Sequence, residues 1–368
     1  MKFDCSTDQL LQNLNVVQRG VAVRSTILAL QGIKFFAVDN SLILTGTNSE
    51  IGIQAIIPAN VSEEGELVLG ANFILDIIRR LSGETVYFET TSDTNLKVDS
   101  QLSEFNINYL TTEEYPPFPH IDEEYELEMD SETFKHLIHS VSFSVAVAEH
   151  IPILLGIKME IKGDQITLVA LDGYRLAVNK GKLDEPIRDD VSVVVPGKSM
   201  MELDKMLSGR SGKINIRFSR TQIFFEFDTI LFVSRLMEGE FLNHDRIIPK
   251  EKTTEVILER RLLLESCERA ALMSREGKSN LIGLEFDIDK LKISGSGDVG
   301  AVNDIMPVEK KGANLTISFN PKFLLEALRA IHDNKIRMEF TTSVSPGVIY
   351  SLDEKKEYIY LILPVRVA

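Results

Sequence analysis

Tryptophan is absent from the 368 residues, cysteine occurs twice and histidine six times. Two cysteines cannot make a disulfide framework or a cysteine-rich metal site. Cys5 and Cys267 fall in different parts of the pattern described below, so they read as unpaired thiols of a reducing compartment. No apolar run approaches the roughly 20 residues of a membrane helix, and Met1-Lys2-Phe3-Asp4-Cys5 has no signal-peptide profile. A cytoplasmic location is expected. Positive charge is also short: 40 Lys and Arg face 55 Asp and Glu, a formal net charge of −15. An overall acidic chain argues at first against nucleic acid, whose phosphates call for Lys and Arg.

What is present is a pattern that runs through the chain three times, about 125 residues apart. Its first landmark is a glycine in an apolar strand: Leu30-Gln31-Gly32-Ile33-Lys34-Phe35, Leu154-Leu155-Gly156-Ile157-Lys158-Met159 and Leu281-Ile282-Gly283-Leu284-Glu285-Phe286. A second is a short amphipathic helix with charges at Asp76/Arg79, Glu202/Lys205 and Glu326/Arg329. A third is a closing strand entered at Tyr109, Leu236 and Leu363. Three registers with nearly one period mean three copies of one domain, each of a size that can bury its own core. The expected domains are 1–122, 123–249 and 250–368. They leave no room for a separate catalytic domain.

Within each copy, periodicity gives two helices laid on antiparallel strands, an α+β class. In the first copy a helix is expected over Ser6 to Val17, with Leu10, Leu11, Leu14 and Val17 on one face and Ser6 with Gln9 as a capping box. Strands are expected over Ile27–Val38, Ser41–Thr47, Ile51–Ile57, Glu66–Leu69, Thr85–Thr90, Leu96–Val98 and Glu104–Leu110, with a helix over Asn72–Leu81. The other helices are expected at Ser131–Phe143, Ser199–Leu207, Arg260–Ser274 and Pro321–Ile331. Linkers fall at Tyr115-Pro116-Pro117-Phe118-Pro119 and over Phe241 to Lys250.

The charge is unevenly spread. Six helical windows together carry +5, so everything else carries −20. If the helices faced one side, that side would be electropositive on an acidic body. Ordinary i,i+3 surface pairing explains the same charges equally well.

Catalytic and metal motifs fail on their own requirements. Gly295-Ser296-Gly297-Asp298-Val299-Gly300 spells the dinucleotide fingerprint, but a strand-like segment follows where a helix is needed. Gly277-Lys278-Ser279 and Gly197-Lys198-Ser199 end like phosphate loops, yet Leu272 and Ser192 stand where the first glycine belongs. His136 and His139 could share a helix face but have no third ligand nearby. No catalytic residue, metal or cofactor is expected, and the chain is not read as an enzyme. An enzyme with one active copy among three, or a repeat scaffold without a DNA role, are the rival classes.

Along its whole length the chain resembles the bacterial DNA polymerase III β subunit family, the sliding clamps. The strings that carry the resemblance are Pro152-Ile153-Leu154-Leu155-Gly156, Leu171-Asp172-Gly173-Tyr174-Arg175-Leu176, Val193-Val194-Val195-Pro196-Gly197-Lys198, Ser234-Arg235-Leu236-Met237-Glu238-Gly239-Glu240-Phe241 and Tyr360-Leu361-Ile362-Leu363-Pro364-Val365-Arg366-Val367. The resemblance implies a head-to-tail homodimeric ring around duplex DNA, without sequence specificity, that tethers the replicative polymerase and is opened by a clamp-loader ATPase. It further implies a cleft for partner peptides, with glutamine first and then leucines and an aromatic. The matching positions are Leu154, Leu155, Asp172, Gly173, Tyr174, Arg175, Leu176, Leu242, Ile247, Asn320, Val344, Leu363, Pro364, Val365 and Arg366. The matching basic positions for DNA are Arg24, Arg79, Arg80, Lys198 and Lys205. Three places depart from the family pattern: Leu242 replaces a usual proline, Ile151 a frequent basic residue, and the ending reads Leu-Pro-Val-Arg-Val with an added Ala368.

Overall fold

A computed structural model describes residues 1–119, 125–148, 150–275, 280–298, 300–353 and 357–366. The expected boundary near residue 122, the Gly277-Lys278-Ser279 string, and Val367 and Ala368 lie outside them. The described helices are α1 (Thr7–Val17), α2 (Ala71–Ile78), α3 (Ser131–Ser142), α4 (Gly197–Met206), α5 (Arg260–Ser274) and α6 (Pro321–Ala330). None is long and apolar enough to cross a membrane. In α1 the Ser6 hydroxyl accepts from the Gln9 backbone N–H at 3.4 Å, satisfying one of the free donors of the first turn. Leu10, Leu14 and Val17 are buried as their spacing requires.

The chain falls into two compact units, each built from parts of more than one repeat. Unit 1 comprises Met1–Ser131 with Lys205–Leu236, and unit 2 comprises Glu132–Asp204 with Met237–Ala368. The reason is strand pairing across repeat boundaries. Unit 1 holds an eight-stranded antiparallel sheet in which Ile230–Arg235, from the second repeat, pairs with Ile51–Pro58 of the first. Unit 2 holds a nine-stranded sheet in which Arg175–Lys182 pairs with Glu357–Ile362, so the second and third repeats share one hydrogen-bonded surface. A five-stranded sheet completes unit 1 and a four-stranded sheet completes unit 2. In unit 1, Phe3 stacks on Phe88 with ring centroids 4.7 Å apart, and Phe35 lies against the same ring.

The glycine landmark needs one correction. Ile27–Val38 is not a single strand: Leu28–Gln31 form a 3-10 turn and the strand runs Gly32–Val38. The second repeat does the same with Pro152–Leu155 and Gly156–Lys162. A side chain at the entry glycine has no room. A Cβ on Gly32 would lie 2.4 Å from Val68 Cγ1, and one on Gly156 would lie 2.5 Å from Val194 Cγ1 and 2.7 Å from Met237 Sδ.

The closing landmark also shifts. The strands Ser103–Asn108, Ile230–Arg235 and Glu357–Ile362 end just before Tyr109, Leu236 and Leu363 instead of beginning there. Beyond each, a backbone N–H returns to the strand that leads into the second helix. Leu110 donates to Val68, Met237 to Val194 and Val365 to Ser318, at 2.9, 2.8 and 2.8 Å. The third copy therefore runs one residue longer, and Pro364, not Leu363, is the counterpart of Tyr109 and Leu236. Two short strands, Asn60–Glu63 and Glu309–Gly312, were not expected. The linkers are pinned rather than free. Tyr115 is buried and its hydroxyl donates to the Thr45 carbonyl at 2.7 Å, while Phe241 is buried and His244–Arg246 form a 3-10 turn.

Candidate peptide cleft and basic helix positions

The hairpin joining Gln165–Leu171 to Arg175–Lys182 builds the tip of the candidate cleft in unit 2. One Asp172 oxygen accepts from the backbone N–H of Tyr174 and of Arg175, both at 3.1 Å. Between them Gly173 sits at φ 82°, a conformation in which a Cβ would be strained. The other Asp172 oxygen takes Arg175 Nε at 2.9 Å. Tyr174 is thereby left 60% exposed, with its ring stacked on Phe323 at 5.8 Å.

Arg175 is one of the matching cleft positions, but it is not open to a peptide at the surface. Instead it is buried. Its guanidinium pairs with Glu326 of α6 as well as Asp172, and it lies over the rings of Phe143 and Phe323 at 5.3 and 4.6 Å. Planar, delocalised charge suits such a sandwich. The residue holds the hairpin to α6 and positions Tyr174. Phe143, Phe323 and Glu326 have no signal in the sequence for this part, since Glu326 lies 151 positions from its partner.

Leu154 and Leu176 belong to one buried cluster with Phe241, Val348 and Leu361, and Leu155 packs against it. The tail after Glu357–Ile362 is tied beside that floor: Leu363 donates to the Tyr174 carbonyl at 2.8 Å, and Val365 bonds Ser318 as described. Leu363, Val365 and Arg366 are exposed there and Pro364 is half-buried. Leu242 and Ile247 are exposed in the linker that Phe241 anchors. Asn320 caps α6, its side chain accepting from Lys322 N–H at 3.0 Å, and Val344 is exposed in a separate turn. These four are not members of the buried cluster.

His244, in the same linker, is buried, and its Nδ1 has no partner. Burial holds its pKa below the ordinary 6.5, against the pull of Asp245 and Glu160 and aided by Lys158 and Lys162.

The basic positions divide. Arg24 is exposed in the loop before Leu28. Arg79 and Arg80, at the end of α2, both pair with Asp76, at 3.7 and 2.9 Å, and Arg79 also reaches Asn15 of α1 at 3.5 Å. Lys198 and Lys205 are exposed on α4, two helical turns apart and so on one face. The i,i+3 alternative fails for Glu326 and Arg329: Glu326 takes Arg175, and Arg329 takes Glu268 of α5 at 2.8 Å. Arg79 and Arg329 thus each brace a second helix to the first. In the second repeat His139 meets Asp204 of α4 at 3.5 Å, while His136 faces His332 at 5.3 Å between ring centroids. Among the described residues no group of three His, Cys, Asp or Glu could hold a metal ion. Gly295–Gly297 end one strand and Gly300 begins the next, Gly297 pairing with Gly300, so the dinucleotide-like string is not followed by a helix.

Three models of the DNA polymerase III beta subunit match in tandem: the N-terminal domain over residues 1–119, the central domain over 128–243 and the C-terminal domain over 245–366. The chain belongs to the DNA polymerase III beta subunit family. The beta sliding clamp of Bacillus subtilis is 33% identical over the full length of both chains, and that of Staphylococcus aureus is 31% identical over 100% of this chain and 99% of its own. A crystal structure of the Bacillus subtilis DNA polymerase sliding clamp superposes with a TM-score of 0.96 over all of both chains. A polymerase III beta subunit structure from Eubacterium rectale gives 0.95 at 29% identity, again over all of both chains. The protein is a DNA sliding clamp that serves polymerase processivity, and its three α+β repeats have the clamp fold.

Proposed function

We propose that two copies close head to tail into a ring through which duplex DNA passes. The single observation that carries the reading is the tandem match of all three repeats to the three domains of one family. On this reading the domains are 1–122, 123–249 and 250–368, and the ring works by topology instead of catalysis, in the cytoplasm. A clamp-loader ATPase opens it. Arg24, Arg79, Arg80, Lys198 and Lys205 meet DNA phosphates, which carry no sequence information and so permit sliding. The pairing of Arg79 and Arg80 with Asp76 makes their share of that contact small.

The cleft of unit 2 takes short peptides from the polymerase and other partners. Its buried leucine floor, exposed Tyr174 and exposed tail at Leu363, Val365 and Arg366 support this, since small interfaces draw on a few apolar anchors with polar groups at the rim. A tethered polymerase gains effective concentration at the primer end.

Ring closure joins the face around Asn72 to Thr90 of one copy to the face around Ala270 to Leu291 of the other, a heterologous contact. Phe73 and Leu272 are more than half exposed on those faces. Sheet edges support the same pairing: Ser103–Asn108 ends the five-stranded sheet and Gly300–Pro307 ends the four-stranded one. An unpaired edge is a template for another strand. Native mass spectrometry at micromolar concentration tests closure. The expected species contains two chains of 41.3 kDa each, and a strictly monomeric protein overturns the ring.

A further inference from the structure

The hairpin tip that presents Tyr174 has a counterpart in unit 1. There Ser41–Thr47 and Ile51–Pro58 are joined by Asn48, Ser49 and Glu50, and the Asn48 side-chain oxygen accepts from the N–H of Glu50 and of Ile51, both at 2.9 Å. Ser49 takes the left-handed conformation of Gly173, at φ 74°. The following tail docks in the same way, Arg235 N–H donating to the Glu50 carbonyl at 3.1 Å as Leu363 does to Tyr174. The backbone frame of the peptide cleft therefore occurs twice in one chain.

The side chains differ at the floor. In the repeat register the counterpart of Leu176 is Gly52. The space over that glycine is taken by the chain's own linker: a Cβ on Gly52 would lie 3.0 Å from the ring of Phe118 and 2.9 Å from Val233 Cγ1. Beside them is a half-open cavity of about 160 Å³ with a mixed lining, apolar at Ile51, Pro116 and Pro117 and polar at Glu50, Gln222 and Arg235. A volume of that order holds a side chain of aromatic or branched aliphatic size against Ile51 and the prolines, with polar groups at its rim.

We infer that the junction of the first two repeats is a second copy of the peptide cleft, kept closed by Phe118 as an internal occupant. This rests on the peptide reading of the first cleft. The site, once vacated, takes the same class of ligand, a short peptide with an aromatic and aliphatic anchor. Phe118 thereby sets one peptide per chain where the repeated frame would permit two.

Isothermal titration of the full-length chain with a synthetic peptide of glutamine followed by leucines and phenylalanine tests the inference. Four proteins are compared: wild type, Phe118→Ala, a first-cleft variant (Tyr174→Ala with Leu363→Asp), and the combination. The expected stoichiometries are one, two, none and one peptide per chain. Folded Phe118→Ala protein that still takes one peptide, with none bound in the combination, overturns the inference. Persistent binding by the first-cleft variant alone instead overturns the reading of the first cleft, so the two failures are distinct. Phe118→Val, which vacates less of the space, is titrated beside it and decides in the same way should Phe118→Ala lose its melting transition.

Discussion

Asp172 does two jobs with two oxygens: one closes the hairpin turn, and the other fixes Arg175. Its replacement by alanine should lower the stability of unit 2 by about 2–3 kcal/mol, because three hydrogen bonds go and a buried charge loses a partner. Peptide affinity, read by fluorescence anisotropy, should fall about tenfold, or ~1.4 kcal/mol. Unchanged affinity in the folded variant would separate the tip from the site. Two nearby glycines should behave differently from one another. Gly156→Ala forces a methyl into Val194 and Met237 and should cost about 1–3 kcal/mol in denaturant unfolding. Gly173→Ala meets no atom within 4 Å and should cost only about 1 kcal/mol, from its positive φ. A larger cost at Gly173 than at Gly156 would contradict the account. The tight turn from Asp172 to Leu176 is legible as a string, while its part in peptide binding rests on the resemblance. The partners of Arg175 are not legible, because a contact across 151 positions leaves no local trace in one sequence.

Helices stand out in the sequence because an apolar stripe at helical spacing is a local signal, and α5 lies where its pattern puts it even without a side-chain cap. Strand entry is harder to read. Leu28–Gln31 and Pro152–Leu155 are as apolar as strands, and the close packing at Gly32 and Gly156 that follows each 3-10 turn involves residues distant in sequence. On α6 the i,i+3 alternative fails for a similar reason: the nearest partner in sequence is Arg329, but Glu326 pairs with the buried Arg175. The linker over Phe241 to Lys250 supplies a pH test. His244 is held neutral by burial, so below its ordinary 6.5 the unfolded chain takes up a proton that the folded linker resists. Its contribution to stability is full above that pH and declines as pH falls below it. The melting temperature and the peptide affinity should drop as pH falls below about 6.5, and His244→Gln should flatten that drop. A wild-type profile identical to that of the variant would remove His244 from the pH response.

Over the whole molecule the threefold period was visible because it recurs in several independent landmarks, whereas its division into two compact units was not. Pairing of Ile230–Arg235 with Ile51–Pro58, and of Glu357–Ile362 with Arg175–Lys182, binds each repeat to the next through backbone groups that have no residue signature. The acidic balance of −15 bears on how DNA is held. With so little net positive charge on the helices, direct phosphate contacts are weak, and ordinary binding of that kind falls steeply with salt. A closed ring threaded by a circle is held by linkage, which screening cannot undo. The decisive measurement is retention after clamp-loader-driven loading onto nicked circular DNA and a high-salt wash, before and after a single cut. The protein should stay on the intact circle and leave the cut one by sliding off its ends. Equal retention on both would mean adhesive binding and would contradict the topological account.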